Sequence, residues 1–243
     1  MTLPRLYTDL ASWWPLFSPP ALHAEEAAWI FEQLSEALGR APARILELGS
    51  GGGNTASHLA NRAAMTLVDP SPAMLDVSRR LNPAATHVEG DMRTARLGAR
   101  FDAVMIHDAI MYMTTEADLV AALATARAHL EADGVLIALP DYVAETFKPH
   151  VETGGQDAED GSGIRYISWI QPPVPGATTH AVDLAILLRM ADGTVEAVHD
   201  HHVFGLFPRA RWCAAFERAG FAAPAVTRDW WQRDVFLAKP LRN

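Results

Sequence analysis

A short stretch near residue 50 combines an acidic side chain with closely spaced glycines. Glu47 lies inside the apolar run 45–48, and Gly49, Gly51 and Gly53 follow it at alternate positions. Glycines at this spacing let the backbone approach a ligand closely, because no Cβ intervenes. An alanine-rich helical pattern begins at residue 55. A strand, a glycine-rich turn and a helix in succession predict a cradle for a nucleotide-type ligand.

The acid in this stretch discriminates between nucleotide ligands. A dinucleotide site requires glycine or alanine at the position of Asn54, and the negative charge of Glu47 would repel a pyrophosphate. A ligand that carries an ammonium group and no phosphate would instead be attracted. S-adenosylmethionine combines adenosine, a sulfonium and a zwitterionic amino acid, so it is the ligand that we expect. A glycine-rich turn of some other α/β protein is the alternative.

A second carboxylate stands at the end of the next predicted strand. Asp69 closes the apolar run 65–69, about 20 residues after Glu47. An acid at this position can accept hydrogen bonds from both ribose hydroxyls of a nucleoside. Ser71 as N-cap and Pro72 at the first helical position predict that a helix begins directly afterwards. An ordinary strand-end carboxylate is the alternative interpretation of Asp69.

The pattern Glu-Leu-Gly-x-Gly-x-Gly over residues 47–53 resembles the first motif of class I S-adenosylmethionine-dependent methyltransferases. Asp69, the pair Asp91-Met92 and the strand 101–107 then follow in the order of that family. The resemblance implies that Asp91 and Met92 contact adenine, and that His107 lies beside the transferred methyl group. The cofactor-binding residues proposed on this basis are Glu47, Gly49, Gly51, Gly53, Asp69, Pro70, Met74, Asp91, Met92 and His107.

Within this class the chain is most similar to bacterial small-molecule N-methyltransferases of the amino-sugar type. It shares an aromatic N-terminal arm, antiparallel strands after the fifth strand, and Leu206-Phe207 before the last helix. It differs where Trp14-Pro15 replaces a typical Tyr-Asp, and where Tyr112 replaces a histidine of some members. The resemblance implies methyl transfer to a nitrogen or oxygen of a small acceptor. A nucleotide-binding oxidoreductase and a catalytically silent S-adenosylmethionine-binding module are the alternatives.

The predicted elements explain how these side chains would be brought together. Strands and helices alternate over residues 43–141, and a helix and an antiparallel hairpin follow at 208–243. This order predicts an α/β fold with a Rossmann-like, doubly wound sheet of seven strands, the last of them antiparallel. Residues 142–207 predict a small antiparallel β insertion that serves as a substrate lid. Residues 1–42 predict an aromatic arm and a helix.

The insertion carries two histidines whose placement depends on one turn. Asp192-Gly193 is a signal for a two-residue hairpin turn. The register that follows from it places His199 and His201 on the apolar face of the hairpin, toward a core or a cleft. A metal ion on these histidines would need a third ligand, and none is evident, so we expect no metal.

Methyl transfer places modest chemical demands on the protein. The sulfonium already activates the methyl group, so the protein must align the acceptor, exclude water and manage one proton. The candidates for the proton are Tyr112, His107, His201 and His199. The candidates for substrate contact are Tyr7, Trp13, Trp14 and Tyr112. The alternatives are that these side chains belong to the core, and that an amine arriving neutral needs no base.

The composition narrows the range of partners. The chain has 243 residues, a net charge of −9 and a pI of about 5.5, which argues against a nucleic-acid surface. Its single cysteine, Cys213, fits a reducing compartment, and neither a secretory signal nor a membrane span is evident. We expect a cytoplasmic monomer or homodimer that acts on a small-molecule acceptor and binds neither nucleic acid nor membrane.

Overall fold

Apolar runs that end in glycine, proline or polar residues form the strands of a parallel sheet. The computed structural model describes residues 3–241. The first five strands are β1 Arg44–Leu48, β2 Ala64–Asp69, β3 Thr86–Glu89, β4 Phe101–His107 and β5 Leu130–Leu139. β4 is buried along almost its whole length, which explains why its sequence is apolar rather than alternating. These strands pair in parallel, as their alternation with helices predicts.

Helices cover both faces of this sheet. In chain order they are α1 Trp14–Phe17, α2 Ala24–Leu38, α3 Asn54–Leu59, α4 Pro72–Leu81, α5 Glu116–His129 and α6 Arg209–Arg218. α2 and α3 pack on one face through Ile30 and Leu59, whereas α5 and α6 pack on the other through Leu123 and Trp212. None of the helices within residues 3–241 has both the length and the hydropathy to cross a bilayer.

Local sequence signals explain several helix ends. The Ser71 hydroxyl accepts a hydrogen bond from the Met74 N–H at the start of α4, as its N-cap position predicts. Thr115 caps α5 in the same way through the N–H of Asp118. α2 ends at Gly39, whose φ of 73° is in the left-handed region that glycine favours.

The remaining strands complete the large sheet and build a second one. They are β6 His150–Gly154, β7 Gly163–Ile170, β8 Thr179–Arg189, β9 Val195–Gly205, β10 Ala225–Arg228 and β11 Asp234–Ala238. The large sheet has the order β3-β2-β1-β4-β5-β11-β10, and β11 is antiparallel to both of its neighbours. The predicted seven-stranded, Rossmann-like sheet with an antiparallel last strand is therefore confirmed. The strand order reverses between β1 and β4, where such sheets form their ligand crevice.

The insertion differs from the prediction in the number of its strands. The three strand-like runs 164–171, 178–190 and 194–206 predict three strands. Instead, β6, β7, β8 and β9 form a four-stranded antiparallel sheet, called the small sheet below. The sequence does not predict β6, because it is an edge strand of mostly exposed residues and therefore lacks an apolar run. The alanine-rich pattern 55–64 predicts a helix of that length, but α3 ends at Leu59. The helix stops early because Ala64 already belongs to β2 and pairs with Arg44 of β1.

One predicted register is wrong. We expected a two-residue turn at Asp192-Gly193, but the N–H of Met190 donates to the carbonyl of Thr194 at 2.8 Å, which leaves three residues in the loop. Gly193 ends this loop with a left-handed φ of 86°. The additional loop residue shifts the pairing by one position, and such a shift moves every side chain of the strand to the opposite face.

The register shift changes which histidines of β9 face the interior. His199 and His201 lie on the outer face, where at least half of each side chain is exposed and both rings contact the carboxylate of Asp183. The prediction that these two histidines face a core or a cleft is therefore wrong. Asp200 and His202 are buried on the inner face instead.

The N-terminal arm, residues 3–23, connects the small sheet to the loops of the large one. Leu10 and Phe17 pack against the inner face of the small sheet. Asp200 accepts the N–H of Leu6 at 2.8 Å, and Asn54 at the start of α3 donates to the carbonyl of Ser18 at 2.8 Å. The aromatic arm is thus a packed part of the fold.

Candidate active site

The glycine-rich turn after β1 forms one wall of a cavity. Gly49 and Gly51 have φ values of 76° and 52°, which glycine adopts without strain. A Cβ on Gly49 would lie 2.5 Å from the Cβ of Ala109 and 2.7 Å from the Cε of Met92, so no side chain fits there. The turn therefore presents bare backbone to the cavity.

The cavity has a volume of about 460 Å³ and lies at the carboxyl ends of the central strands. This volume suits a small ligand of nucleoside size. It gathers predicted residues from the arm and from the ends of four strands. The predicted residues that line it are Tyr7, Trp14, Glu47, Gly49, Gly51, Asp69, Pro70, Asp91, Met92, His107 and Tyr112.

Five predicted site residues do not line this cavity. Gly53 is the N-cap of α3 and packs against side chains of α4. Met74 is buried beneath the glycine turn, and Trp13 packs against the small sheet. His199 and His201 lie on the outer face of β9 because of the register shift.

Asp69 ends β2 and holds the glycine turn in place. Its carboxylate accepts the N–H of Gly51 at 2.8 Å and the N–H of Ser71 at 2.9 Å, one on each oxygen. Burial raises the pKa of Asp69, while these hydrogen bonds act in the opposite direction. Each oxygen keeps a lone pair, so the carboxylate can still accept hydroxyl groups from a ligand in the cavity.

Glu47 is a buried acid in β1. Its side chain is 3% exposed, and its Oε2 atom has no hydrogen-bond partner among the described residues. Burial raises the pKa of Glu47 to about 8, against the smaller opposing effect of His107. A buried oxygen without a partner is costly, and a ligand ammonium would satisfy it and restore the charged form. The site therefore suits the amino-acid end of S-adenosylmethionine.

His107 ends β4 in a cluster of buried charges. Its Nε2 lies 3.1 Å from Oε1 of Glu26 and 3.2 Å from Oδ1 of Asp108. Burial lowers the pKa of His107, but Asp108 and Glu26 outweigh this effect and raise the pKa to about 9. The ring is therefore an imidazolium at neutral pH, and this state argues against the predicted role of His107 as a base.

Arg233, in the turn before β11, completes this cluster. It contacts the carboxylate of Glu26, and its Nε lies 2.6 Å from Oδ2 of Asp229. Its Nη1 lies 3.6 Å from Oδ1 of Asp108, whose φ of 27° is strained for a residue with a side chain. The cluster thus connects α2, the end of β4 and the C-terminal hairpin next to the cavity.

Two phenols meet at the cavity wall. Tyr7 belongs to the arm, Tyr112 belongs to the short helix Ala109–Tyr112, and their hydroxyl oxygens are 3.1 Å apart. The Tyr112 hydroxyl also lies 2.6 Å from Nδ1 of His202, whose Nε2 lies 3.1 Å from Oδ2 of Asp200. Burial raises the pKa of each phenol well above the ordinary value for tyrosine, so both hydroxyl groups stay protonated.

His202 and Asp200 were not predicted as site residues. The signal that would have found them is the alternation along β9, which becomes informative only with the three-residue loop. Glu26 and Arg233 were not predicted either, because they are separated by about 200 residues and carry no local pattern. Within the described residues, no group of three His, Cys, Asp or Glu side chains is arranged to hold a metal ion.

The fold and this site define a class I S-adenosylmethionine-dependent methyltransferase. Residues 45–134 match a family model described as a methyltransferase domain. A Streptomyces fradiae enzyme, dTDP-3-amino-3,6-dideoxy-alpha-D-glucopyranose N,N-dimethyltransferase, is 30% identical over 200 residues, which are 82% of this chain and 77% of the enzyme. The chain therefore belongs to the methyltransferase family that includes this sugar N,N-dimethyltransferase.

Solved structures give the same assignment. DesVI from Streptomyces venezuelae has a TM-score of 0.82 and 26% identity, over 90% of this chain and 92% of DesVI. CalS10, an amino pentose methyltransferase from Micromonospora echinaspora solved with S-adenosylmethionine bound, has a TM-score of 0.78 and 28% identity over the same shares. The predicted cofactor and methyl transfer to a small molecule are thus confirmed, and the oxidoreductase alternative is wrong.

The affinity for the cofactor is expected to rise with pH, because Glu47 must ionise to bind an ammonium. The pKa of Glu47 is about 8 in the free protein, so ligand binding below this pH releases its proton. The dissociation constant should then fall about tenfold per pH unit between about pH 6 and about pH 8. Calorimetric titration with S-adenosylhomocysteine, in buffers of different ionisation enthalpy, measures both the affinity and the released proton. Glu47→Gln should bind weakly with no such slope, and a flat profile for the wild type would contradict the assignment.

Proposed function

We propose that the protein methylates the amino group of a sugar, in two successive transfers to the same nitrogen. The observation that carries the proposal is the pair of carboxylates Asp108 and Asp141, which both border the cavity beyond the ends of β4 and β5. Burial and the nearby Asp108 raise the pKa of Asp141 well above its ordinary value. A cationic amine bound beside Asp141 would favour the ionised form of this carboxylate, so the wall can pair with an ammonium group. The identity of 30% with a sugar N,N-dimethyltransferase supports the same acceptor class.

In this proposal the cofactor lies against the glycine turn. Asp69 accepts hydrogen bonds from the ribose hydroxyls, and Glu47 accepts them from the ammonium of the amino-acid part. Asp91 accepts from the exocyclic amine of adenine, and Met92 packs on the adenine ring. The Nε of Arg93 lies 3.0 and 3.1 Å from the two oxygens of Asp91, which fixes the orientation of that carboxylate.

The same proposal assigns acceptor contacts to the arm and to the end of β4. When bound, S-adenosylmethionine supplies a methyl group that its sulfonium makes electrophilic. Tyr7 and Tyr112 hold the acceptor nitrogen by hydrogen bonds, so that its lone pair points at that methyl group. Trp14 excludes water, since it packs so closely on the turn that a Cβ on Gly52 would lie 2.3 Å from its ring.

The experiment offers matched acceptors to the enzyme and S-adenosylmethionine. The first acceptor is dTDP-3-amino-3,6-dideoxyglucose, the substrate in the name of the Streptomyces fradiae relative. Its control is the same sugar nucleotide with a hydroxyl in place of the amine. Mass spectrometry should detect one and then two methyl additions to the amine and none to the control. Methylation of the hydroxyl control alone would contradict an amine acceptor.

Two further properties belong to this proposal. The cytoplasm is the proposed compartment, because the single cysteine, Cys213, fits a reducing environment. A monomer or a homodimer is the proposed assembly, which light scattering of the purified protein measures. A net charge of −9 supports the proposal that nucleic acid is not a partner.

A further inference from the structure

A continuous series of hydrogen-bonding groups leads from the cavity into the protein. It begins at the Tyr112 hydroxyl, which lies 2.6 Å from Nδ1 of His202. It continues from Nε2 of His202 to Oδ2 of Asp200, a distance of 3.1 Å. His202 and Asp200 are 3% and 5% exposed, so both are shielded from solvent. Only Tyr112 of these three borders the cavity.

The surroundings of Asp200 determine which nitrogen of His202 carries the proton. Besides His202, the carboxylate accepts backbone N–H groups from Arg5 at 3.0 Å, Leu6 at 2.8 Å and His201 at 3.0 Å. Burial would raise the pKa of Asp200, but His202 and these N–H groups hold it at about 2. An ionised carboxylate only accepts hydrogen bonds, so Nε2 of His202 must be the donor.

This tautomer orients the Tyr112 hydroxyl. With its proton on Nε2, a neutral His202 has a lone pair on Nδ1, and Tyr112 must donate its O–H to that atom. The lone pairs of the Tyr112 oxygen then point away from His202. The Tyr112 hydroxyl has a single proton, which can also point at the Tyr7 oxygen 3.1 Å away, but the 2.6 Å contact with Nδ1 of His202 is shorter and takes that proton. The Tyr112 oxygen can then accept the hydroxyl of Tyr7 and an N–H from a ligand in the cavity.

We propose that Tyr112, His202 and Asp200 form a proton relay that deprotonates the acceptor nitrogen between the two methyl transfers. The proposal rests on the proposed function, because a second transfer to one nitrogen requires removal of a proton after the first. Tyr112 contacts the acceptor. His202 and Asp200 act through Tyr112, so they are positioning residues that also hold the transferred proton.

The relay balances in protons and charge. The methylated acceptor is an ammonium, and one of its N–H bonds breaks as the Tyr112 oxygen takes the proton. The original Tyr112 O–H bond breaks in the same step, and that proton bonds to Nδ1 of His202. The positive charge moves from the acceptor to an imidazolium paired with Asp200, and the nitrogen regains the lone pair that the second transfer needs. After product leaves, the proton returns through Tyr112 to water.

Few titratable groups surround this imidazole. Tyr112 and Tyr7 face His202 from the other elements that pack on it, with ring centroids 6.2 and 5.7 Å away. Asp200 faces it from the same strand. Asp141 acts on Tyr112 from across the cavity wall and favours its protonated form. If replacing His202 changes the pH dependence of the rate, only these few neighbouring groups need to be considered as other causes.

The tautomer is measured first, because this test needs no acceptor. Nitrogen-15 NMR of histidine-labelled protein, with His202→Gln to assign the signal, should show Nε2 protonated and Nδ1 unprotonated in the neutral ring. The Nδ1 signal should shift in Tyr112→Phe, which removes the hydroxyl donor. A neutral His202 with its proton on Nδ1 would overturn the relay.

The rate of the second methyl addition is measured next, with His201→Gln as the matched control. We expect His202→Gln to lower kcat for this step about 100-fold near neutral pH. The KM for the monomethylated acceptor and the affinity for S-adenosylhomocysteine should change little. The defect should shrink as the pH approaches the pKa of the acceptor amine, because water then removes the proton. His201→Gln, on the exposed face of the same strand, should behave like the wild type.

The outcomes separate this proposal from the proposed function. A wild type that methylates no amine contradicts the proposed acceptor class, whereas the NMR result still decides the orientation of the relay. A wild type that adds two methyl groups, with His202→Gln equally fast, overturns the relay alone. An equal loss of rate at every pH in His202→Gln would show a purely structural role for His202 and would overturn it as well.

Discussion

Replacing Asp69 by alanine is expected to weaken S-adenosylmethionine binding at least about 100-fold. In the proposed site the substitution removes the acceptor of two ribose hydroxyls, and hydrogen bonds to a charged group contribute about 1.5–3 kcal/mol each. It also removes the partner of the Gly51 and Ser71 N–H groups, at 2.8 and 2.9 Å, so the glycine turn loses its support. Calorimetric titration with S-adenosylmethionine and S-adenosylhomocysteine measures the loss for both ligands.

Two controls make the result specific to this carboxylate. Asp69→Asn keeps one acceptor oxygen and similar volume, so its affinity should fall between those of the wild type and Asp69→Ala. Asp76→Ala changes an exposed acid of α4, and its affinity should stay within about twofold of the wild type. An Asp69→Ala protein that is folded and binds both ligands normally would contradict the ribose assignment.

Replacing Arg233 by methionine is expected to lower the free energy of unfolding by about 3–5 kcal/mol. Arg233 contacts two buried acids, Glu26 and Asp229, each 3% exposed. Burial would raise the pKa of Glu26, but His107 and Arg233 outweigh it and hold the pKa at about 2. Without the guanidinium, these carboxylates must remain buried with weaker compensation or take up protons, and either change destabilises the fold.

Thermal unfolding followed by circular dichroism tests this expectation. A loss of this size corresponds to a decrease of about 10 °C in Tm for a chain of this length. Arg218→Met is the matched control, since that arginine is 59% exposed and its partner Glu116 is 33% exposed. Its Tm should change by about 2 °C at most. Equal stability of Arg233→Met and Arg218→Met would show that the buried cluster does not stabilise the fold.

The cluster around Arg233 also affects the site directly. The Nη1 atom of Arg233 lies 3.6 Å from Oδ1 of Asp108 and 3.8 Å from Oδ1 of Asp141, the two acids of the proposed acceptor wall. The guanidinium lowers the pKa of Asp141, against the larger effects of burial and Asp108. Arg233 therefore links the predicted stability effect to the proposed acceptor wall.

The part of the cavity wall around the glycine turn could be predicted from the sequence because its determinants are local. Gly49 and Gly51 follow β1 directly, and Asp69 and Asp91 stand at or just after the ends of β2 and β3. Parallel strands bring their carboxyl ends to one edge of a sheet, so residues far apart in the chain meet there once the strands are identified. Side-chain direction was less predictable, as Met74 shows by packing beneath the turn.

The acceptor half depended on tertiary structure. Because the loop has three residues instead of two, the opposite face of β9 is buried. This face brings His202, and not His199 or His201, to Tyr112. The free-energy difference between a two-residue and a three-residue loop is small compared with that of burying a whole strand face. The turn signal alone therefore does not determine the register.

The sequence by itself determined the fold class, the cofactor and the edge of the sheet where chemistry occurs, since strand periodicity and glycine spacing act over a few residues. Only the tertiary structure decided the long-range partners. Glu26 meets Arg233 across about 200 residues, and Tyr112 meets His202 across about 90. Such pairs leave no local pattern, because their energy comes from burial and charge compensation that exist only when the chain has folded.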